Sequence, residues 1–373
     1  MNILYISKLD GRPWMGPSYS VPNQIKSQAK IDNVLWYNLI KVPIQQGAQN
    51  IEQWRKEKYY VDLNDFPSGR IKDLPAPFSH PDLIIIEQGY PFAREAIRHE
   101  IIKLHIPYVV IPRGELTTSA QNRKKIKKII GNIVLQYYRF MRKSLAVQFL
   151  TDQEKKETSK RWYNNSIIIP NGTTIPTKTN RQNHTKHIMC VSIGRIEPYQ
   201  KGLDLLIEAC IAIKQQLIDN NVLISFYGSN KEGKLDELKQ MISTYQMESI
   251  ISFHDGVFGK EKASVLMNAD VFFMTSRFEG HPMGLLEALS YGLPCLATTG
   301  SNMRSEIENA DAGWGADNDV ESIKDAILNM ISERAKFCTK GDNAYALSLK
   351  YDWDALAQKA HISYETLLQD LET

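Results

Sequence analysis

The chain has 373 residues, of which 43% are hydrophobic and 23% are charged; this composition is that of a folded globular protein and excludes an intrinsically disordered chain. No apolar run approaches the roughly 20 residues that a membrane-spanning helix needs, and the four cysteines match no metal-binding or redox spacing. The first residues lack the basic segment and apolar core of a signal peptide, so we expect a cytoplasmic protein. The length of the chain fits two domains.

Charge is distributed unevenly along the chain. Residues 1–170 contain 26 lysines and arginines against 15 aspartates and glutamates, whereas the remaining residues contain 19 against 27. The basic excess is concentrated between Lys103 and Lys143, and this stretch of the sequence contains one acidic residue, Glu115. This asymmetry predicts that the first half of the protein meets an anionic partner.

Apolar runs typical of buried parallel strands alternate with helical patterns along the whole chain. In chain order, the runs lie at 3–7, 83–87, 108–111, 147–150, 188–193, 223–227, 251–253, 271–275 and 295–298. Strand–helix alternation of this kind predicts parallel sheets with helices on both faces. In such sheets ligands bind at the carboxyl ends of the strands, so functional residues are expected on the loops that follow strands.

A turn-rich segment from Pro170 to Pro176, followed by the polar residues 177–186, separates the two halves. We therefore predict a first α/β domain at 1–170 and a second at 171–354. Two such domains facing each other would form a cleft at the carboxyl ends of both sheets.

The segment from Ser276 to Ala288 follows one predicted strand and feeds a helix that begins near Met283. Free amide groups at a helix start can bind a phosphate or sugar oxygens. Glu279 in the loop and Glu287 in the helix can accept hydrogen bonds from sugar and ribose hydroxyls. A helix cap and a solvated glutamate are the alternative, but the surrounding glycine, histidine and proline residues favour a binding loop.

A second strand–loop–helix segment runs from Val191 to Leu206 and places Arg195 and Lys201 at opposite ends of its loop. An arginine and a lysine at one strand end can stabilise the charge that develops on a departing nucleotide diphosphate. Two solvated loop charges are the alternative. Near the start of the chain, Gly16 precedes a helix and is compatible with the close approach of a phosphate, or with an ordinary helix start.

These motifs resemble those of glycosyltransferase family 4, whose members are retaining enzymes of GT-B architecture that build bacterial capsular, exopolysaccharide or lipopolysaccharide chains. Glu279 and Glu287 match its Glu-x7-Glu motif, and Gly194-Arg195 with Lys201-Gly202 match its diphosphate-binding pair. Further matches lie at 226–229, 253–257, 168–172 and 351–354, and at Tyr364.

The resemblance implies a retaining, metal-independent transfer of a sugar from a nucleotide-sugar donor, with no cofactor. It also implies that a C-terminal helix at 355–373 returns to the first domain. Arg195, Lys201 and Glu279 would be the catalytic residues, and Glu287 would hold the ribose. The implied nucleotide-sugar contacts are Gly16, Gly194, Val257, Gly280, His281, Pro282, Met283, Gly284, Leu285 and Glu287.

The sequence departs from the family pattern at Arg113, which stands where many members carry a histidine after a strand of the first domain. An arginine cannot act as a base at neutral pH, although it could contact donor or acceptor oxygens. Two Asp-x-Asp patterns, at 317–319 and 352–354, resemble metal-binding motifs. The first is better interpreted as a helix N-cap and the second as part of the C-terminal helical segment, so no metal site is predicted.

Basic residues alternate with apolar and aromatic ones between Arg123 and Lys143, as in helices that lie on an anionic membrane surface. The residues predicted to face the membrane are Lys124, Lys125, Lys127 and Lys128. A solvated helix packed on the sheet is an equal alternative, whereas no nucleic-acid-binding module is recognisable.

The predicted acceptor is a saccharide or a saccharide on a lipid diphosphate, and a UDP-sugar donor is favoured over a GDP-sugar. A two-domain sugar-binding protein, a GT-B sugar-nucleotide epimerase and an inactive partner subunit stay open as alternatives. Stabilisation by nucleotides rather than by free sugar would favour the transferase over the sugar-binding protein.

Overall fold

A computed structural model describes residues 1–12, 15–41, 49–92, 96–122, 125–177, 186–229 and 233–372. The chain forms two compact α/β units. The first unit comprises Met1–Gly172 together with Trp353–Thr373, and the second comprises Thr173–Asp352. Each contains one parallel sheet with helices on its faces, which confirms the predicted fold class.

The first unit contains a seven-stranded sheet of order β3-β2-β1-β4-β5-β6-β7. Its strands are β1 (Asn2–Ser7), β2 (Asn33–Asn38), β3 (Tyr60–Asp62), β4 (Leu83–Glu87), β5 (Tyr108–Ile111), β6 (Ala146–Phe149) and β7 (Ser166–Ile168). Its helices are α1 (Pro17–Gln28), α2 (Gln49–Trp54), α3 (Ala96–Leu104), α4 (Thr118–Asn122), α5 (Lys125–Val134), α6 (Tyr137–Lys143) and α7 (Asp152–Glu157).

The second unit contains a six-stranded sheet of order β10-β9-β8-β11-β12-β13. Its strands are β8 (Ile188–Ile193), β9 (Val222–Tyr227), β10 (Ile251–His254), β11 (Val271–Met274), β12 (Cys295–Thr298) and β13 (Gly313–Ala316). Its helices are α8 (Pro198–Lys201), α9 (Leu203–Ala212), α10 (Lys214–Asp219), α11 (Lys234–Thr244), α12 (Gly259–Met267), α13 (Met283–Ser290), α14 (Arg304–Asn309), α15 (Val320–Ser332) and α16 (Phe337–Ser348).

Burial on both faces explains why the strands are continuous apolar runs. In β1, Ile3 and Tyr5 belong to the core on one face of the sheet, while Leu4 and Ile6 belong to the core on the other. All four side chains are fully buried. Every position of such a strand must therefore be apolar, rather than every second one.

The last helix, α17 (Trp353–Glu372), returns to the first unit and packs beside α1. Tyr364 is fully buried there, and its hydroxyl donates to Gln148 Oε1 at 2.6 Å. His361 Nδ1 lies 3.0 Å from the Asp32 carboxylate, and Lys30 pairs with Asp354. The helix is thus an integral part of the first unit, as expected.

All nine predicted strands are present, whereas the sequence analysis did not predict β2, β3, β7 and β13. The two edge strands β3 and β7 have only three residues each. β13 reads Gly-Trp-Gly-Ala, in which glycine at half of the positions hides the strand pattern. Among the described residues, no helix is both long and apolar enough to cross a membrane.

Candidate active site

Both sheets reverse their strand order at one point, between β1 and β4 in the first unit and between β8 and β11 in the second. At such a switch point the neighbouring loops leave in opposite directions and open a crevice at the carboxyl ends of the strands. In the second unit, the predicted diphosphate-binding loop follows β8 and the predicted sugar-binding loop follows β11.

Lys201 and Glu279 meet at this switch point although they are far apart in sequence. Lys201 Nζ donates to Glu279 Oε1 at 2.5 Å, and the two side chains are only 16% and 12% exposed. The hydroxyl of Ser276 donates to the same carboxylate oxygen at 2.9 Å. The structure therefore brings Lys201, predicted to bind the diphosphate, into direct contact with Glu279, predicted to bind the sugar.

The backbone around Lys201 is held against the end of β11. The Thr275 hydroxyl donates to the carbonyl oxygens of Lys201 and Gly202. Gly202 has a positive φ of 61°, and a Cβ at this position would lie 2.0 Å from the Thr275 carbonyl oxygen. Glycine is needed here because it alone permits both the conformation and the close approach.

Arg195 and Gly194 line a small pocket at the same edge, together with Lys201, Tyr227 and Thr275. The Arg195 side chain is exposed, and its guanidinium donates to Gln200 Oε1 at 3.1 Å. An exposed cation in this position can bind an anionic ligand without breaking an ion pair with a buried carboxylate. Two cations, Arg195 and Lys201, thus line the pocket, and Lys201 also holds the Glu279 carboxylate.

Helix α13 begins at this edge with Pro282 at its N-cap and Met283 as its first residue. A Cβ on Gly284 would lie 3.1 Å from the Ile193 carbonyl oxygen, so the helix start packs closely on the end of β8. Leu285 was predicted among the nucleotide-sugar contacts, but its side chain is fully buried in the core. Its amide already donates to the Pro282 carbonyl, so this residue is removed from the predicted contacts.

His281 and Gly280 differ sharply in their surroundings. His281 is buried with its ring 5.3 Å from that of Tyr351, and burial lowers the pKa of His281 to about 3. Its imidazole is therefore neutral at physiological pH and carries no charge to a ligand. A Cβ on Gly280 would meet no described atom within 4 Å, which leaves the Gly280 backbone accessible from that side.

Glu287 lies one turn inside α13 and contacts Lys262, which projects from the first turn of α12. The two side chains are 12% and 23% exposed. Val257, which the resemblance implied as a nucleotide-sugar contact, is buried in the loop that connects β10 with α12. Sequence reasoning missed Lys262, because a lone lysine on a helix is ordinarily solvated and nothing local marks its partner.

Arg277 is a second residue that sequence reasoning missed. Its guanidinium binds both carboxylate oxygens of Asp204, at 2.7 and 2.9 Å, and lies 4.6 Å from the centre of the Tyr199 ring. Its backbone amide also donates to the Gln200 carbonyl. These bonds join α8 and the start of α9 to the loop after β11. The hydrogen bond to Asp204 raises the pKa of Arg277.

In the first unit, Gly16 immediately precedes α1, whose first residue is Pro17. Its φ of −49° is helical, and a Cβ built on it would meet no described atom within 4 Å. Neither backbone conformation nor packing within the described residues thus requires glycine here. The proposed close approach of a phosphate stays a prediction.

Arg113 has a positive φ of 50°, and its side chain is only 4% exposed. Its guanidinium donates to Glu87, Ser20, Asn171 and Gln24 at 2.7 to 3.0 Å. These bonds join the ends of β4 and β5 to α1 and to the segment that ends the unit. A contact of Arg113 with donor or acceptor oxygens stays a prediction, beside the structural role that these bonds define.

The basic segment is amphipathic, but one residue was assigned to the wrong side. Lys128 turns inward, where its Nζ donates to the Ala120 carbonyl and lies 5.5 Å from the centre of the Tyr90 ring. Lys124 lies outside the described residues, and so do the side chains of Lys125 and Lys127. Along α5 the structure instead exposes three isoleucines, which are Ile129, Ile130 and Ile133.

The two Asp-x-Asp patterns have structural partners. Asp319 accepts a hydrogen bond from the Ser322 amide and caps α15, as predicted. Asp317 pairs with Arg304, and Asp354 pairs with Lys30. No group of three or more histidine, cysteine, aspartate or glutamate side chains that could hold a metal ion occurs in the part of the chain that the structure describes.

The fold and this site define the class of the protein, which is a two-domain α/β protein of GT-B architecture. Residues 175–345, just under half of the chain, match the family described as glycosyl transferases group 1. The resemblance found in the motifs is thereby confirmed at the level of the group 1 glycosyltransferases.

Curated relatives and solved structures agree with this assignment. The chain is 29% identical to the amylovoran biosynthesis glycosyltransferase AmsK of Erwinia amylovora over 147 residues, which are 38% of this chain and 35% of that protein. It is 25% identical to an Escherichia coli UDP-Gal:alpha-D-GlcNAc-diphosphoundecaprenol alpha-1,3-galactosyltransferase over 38% of this chain and 36% of that protein. The chain spans about a third of the length of the curated relatives it matches first.

Among solved structures, HepE of Anabaena in complex with UDP superimposes with a TM-score of 0.75. The superposition covers 98% of this chain and 100% of HepE, at 17% sequence identity. HepE has also been crystallised with UDP-glucose. At this identity the similarity establishes the shared fold.

Proposed function

We propose that this protein is a retaining glycosyltransferase that moves a sugar from a UDP-sugar to a saccharide acceptor. The observation that carries the proposal is the contact of Lys201 with Glu279 at the switch point of a group 1 glycosyltransferase domain, beside the exposed guanidinium of Arg195. A nucleotide sugar offers a diphosphate for the cations and sugar hydroxyls for the carboxylate. The cations thus complement the charge of the diphosphate, and the carboxylate can accept hydrogen bonds from the sugar hydroxyls.

In the proposed reaction, the bond between the anomeric carbon and the diphosphate oxygen breaks, and the acceptor oxygen bonds to the same carbon. Negative charge grows on the departing diphosphate, where Arg195 and Lys201 stabilise it together with the amide groups that start α13. The acceptor proton passes to the departing phosphate oxygen. Glu279 holds sugar hydroxyls and Glu287 the ribose hydroxyls throughout.

We further propose that the reaction needs neither metal nor cofactor. The reason is electrostatic, since two cationic side chains at the diphosphate position can supply the stabilisation that a divalent cation supplies in other transferases. Attack on the front face would retain the anomeric configuration. This route is favoured because Arg113, at the position where a base would be expected, is always protonated and donates four hydrogen bonds within the first unit.

UDP is the proposed nucleotide, and a lipid-diphosphate-linked saccharide is the favoured acceptor. Support for UDP comes from HepE, which binds UDP and UDP-glucose, and from the donor named for the Escherichia coli galactosyltransferase. The acceptor named for that galactosyltransferase is a GlcNAc-diphosphoundecaprenol, and AmsK is named for amylovoran biosynthesis. Exopolysaccharide synthesis is therefore the proposed setting.

A lipid-linked acceptor would require contact with a membrane, and α5 is the proposed contact on the cytoplasmic face. Ile130 and Ile133 are 57% and 64% exposed on this helix, and the surrounding sequence is strongly basic. Exposed apolar side chains flanked by lysine and arginine suit the boundary between lipid headgroups and acyl chains.

Thermal unfolding in the presence of nucleotides tests the proposed function directly. We expect UDP and at least one UDP-sugar to raise the unfolding temperature, and free glucose or galactose to leave it unchanged. The stabilising UDP-sugar should then be consumed in the presence of a saccharide acceptor. Stabilisation by free sugar alone would contradict the proposal, and so would turnover of the nucleotide sugar to an isomer without any acceptor.

A further inference from the structure

The loop that carries Glu279 is held by its backbone carbonyl groups. Carbonyl oxygens of Ser276, Glu279 and Gly280 each accept a hydrogen bond from an asparagine side chain. The donors are Asn302, after β12, and Asn318, after β13. We call these two residues the asparagine brace, which thus links the loop after β11 to the ends of the next two strands.

Asn302 supplies two of the three bonds. Its Nδ2 donates to the Glu279 carbonyl at 2.5 Å and to the Gly280 carbonyl at 3.2 Å. Carbonyl oxygens only accept, so a side chain between two of them must bring N–H donors, as an amide nitrogen does. The backbone of Asn302 has a positive φ of 62°, a conformation that asparagine tolerates better than other residues with a side chain.

Asn318 uses both ends of its amide. Its Nδ2 donates to the Ser276 carbonyl at 2.9 Å, while its Oδ1 accepts from the Gly300 amide at 2.8 Å. A Cβ on Gly300 would lie 2.2 Å from the Arg277 carbonyl oxygen, so the loop after β12 is in close contact with the loop after β11. The motif that resembles a metal-binding Asp-x-Asp thus contributes its middle residue to this contact.

The brace fixes both ends of the segment that sets the direction of the Glu279 side chain. Between its two ends, Ser276 Oγ and Lys201 Nζ hold the carboxylate itself. We propose that Asn302 and Asn318 are positioning residues that set the affinity of the site for the sugar part of the donor, and not for its diphosphate. This inference rests on the proposed function, because it assigns the braced loop to sugar recognition.

Two isosteric substitutions test the brace. Asn302→Asp and Asn318→Asp keep the side-chain shape but place a carboxylate oxygen opposite carbonyl oxygens, and Asn318→Asp retains the acceptor for Gly300. Asn302→Gly removes the amide while permitting the positive φ, and it replaces Asn302→Asp if that variant does not fold. Asn268→Asp is the matched control, because Asn268 Nδ2 donates to the Ser264 carbonyl at an exposed helix end.

The first measurement needs no ligand. Amide hydrogen exchange across residues 276–281 should speed up by about tenfold in the brace variants, the effect of roughly one lost hydrogen bond. The control should leave exchange in this segment unchanged. Unchanged exchange in both brace variants would overturn the inference whatever the enzyme binds.

The second measurement separates sugar from diphosphate. UDP-glucose, UDP-galactose, UDP-N-acetylglucosamine and GDP-mannose are compared by thermal shift with wild type, and the most stabilising one is titrated beside its own nucleoside diphosphate. In the brace variants, the dissociation constant of the diphosphate divided by that of the nucleotide sugar should fall by about tenfold. The diphosphate itself should bind no more weakly than it binds to wild type, because a displaced Glu279 leaves Lys201 to the diphosphate.

Equal weakening of diphosphate and nucleotide sugar, or an unchanged ratio despite faster exchange, would overturn the positioning role. If none of the four nucleotide sugars stabilises the wild-type protein, the proposed function fails and the assignment to sugar recognition fails with it. The exchange measurement then still decides whether the two asparagines hold the loop.

Discussion

Replacing Glu279 by glutamine should separate the two roles of its carboxylate. The variant keeps the shape of the side chain and loses its charge. Lys201 then has no anionic partner at 2.5 Å and is released for the diphosphate. Because such a partly exposed ion pair contributes up to about 1 kcal/mol, UDP should bind up to about fivefold more tightly to Glu279→Gln than to wild type.

Transfer should change in the opposite direction. A hydrogen bond from a sugar hydroxyl to a charged group is worth about 1.5–3 kcal/mol, so its weakening should lower turnover by about ten- to a hundredfold. Calorimetric titration with UDP and single-turnover transfer measure the two effects on one preparation. Glu237→Gln, on the exposed side of α11, is the control and should change neither. A loss of UDP affinity in Glu279→Gln would refute the competition between Glu279 and diphosphate for Lys201.

Three further outcomes are expected. Arg195→Ala should lower turnover in a steady-state assay by about 10²–10³-fold, because one donor to the transition state is lost. Lys239→Ala on α11 is the control, and an unimpaired Arg195→Ala enzyme would remove this residue from the mechanism. Transfer with purified donor and acceptor should proceed in EDTA, and a strict requirement for Mn²⁺ or Mg²⁺ would contradict metal-independent stabilisation. Sedimentation with anionic liposomes should weaken in high salt and in the double variant Ile130→Asp/Ile133→Asp, but not in Ile218→Asp of the second unit; equal binding to neutral and anionic vesicles would speak against the membrane contact.

Motifs that lie within one strand–loop–helix segment could be predicted from the sequence. Arg195, Lys201 and Glu279 follow recognisable strands, so they were expected at the carboxyl ends of one parallel sheet. The adjacency of β8 and β11, which brings Lys201 and Glu279 together, is a finding of the structure. The helix after Glu279 begins at Met283, near the predicted position, because proline and glycine mark the turn. Local sequence and the rule for parallel sheets suffice for this part of the site.

Contacts between distant segments could not be predicted in the same way. Lys262 on α12 contacts Glu287, and Arg277 in the loop after β11 binds Asp204 at the start of α9. Lysine and arginine on loops and helices are usually solvated, so their sequence gives no sign of a partner. These contacts depend on how α12 and α13 pack on the sheet, which the hydrophobic pattern does not specify.

One of the two errors had a signal in the sequence. Leu285 and Leu289 are four residues apart on α13, a spacing that predicts a buried face, and both are fully buried. Lys128 lies among Tyr90 and the polar end of α4, where a long side chain can place its ammonium group on a carbonyl. For Leu285, membership of the motif was given more weight than the helical periodicity, whereas the contacts of Lys128 had no signal in the sequence.

The anomeric configuration of the first product tests the central claim most directly. The proposed front-face reaction places the departing phosphate, held by Arg195 and Lys201, on the same side of the sugar as the incoming acceptor. The product formed from an α-linked UDP-sugar should therefore have an α linkage, which the one-bond carbon–proton coupling of the anomeric position identifies by NMR. A β linkage in the first-formed product would contradict the mechanism and the role assigned to Glu279.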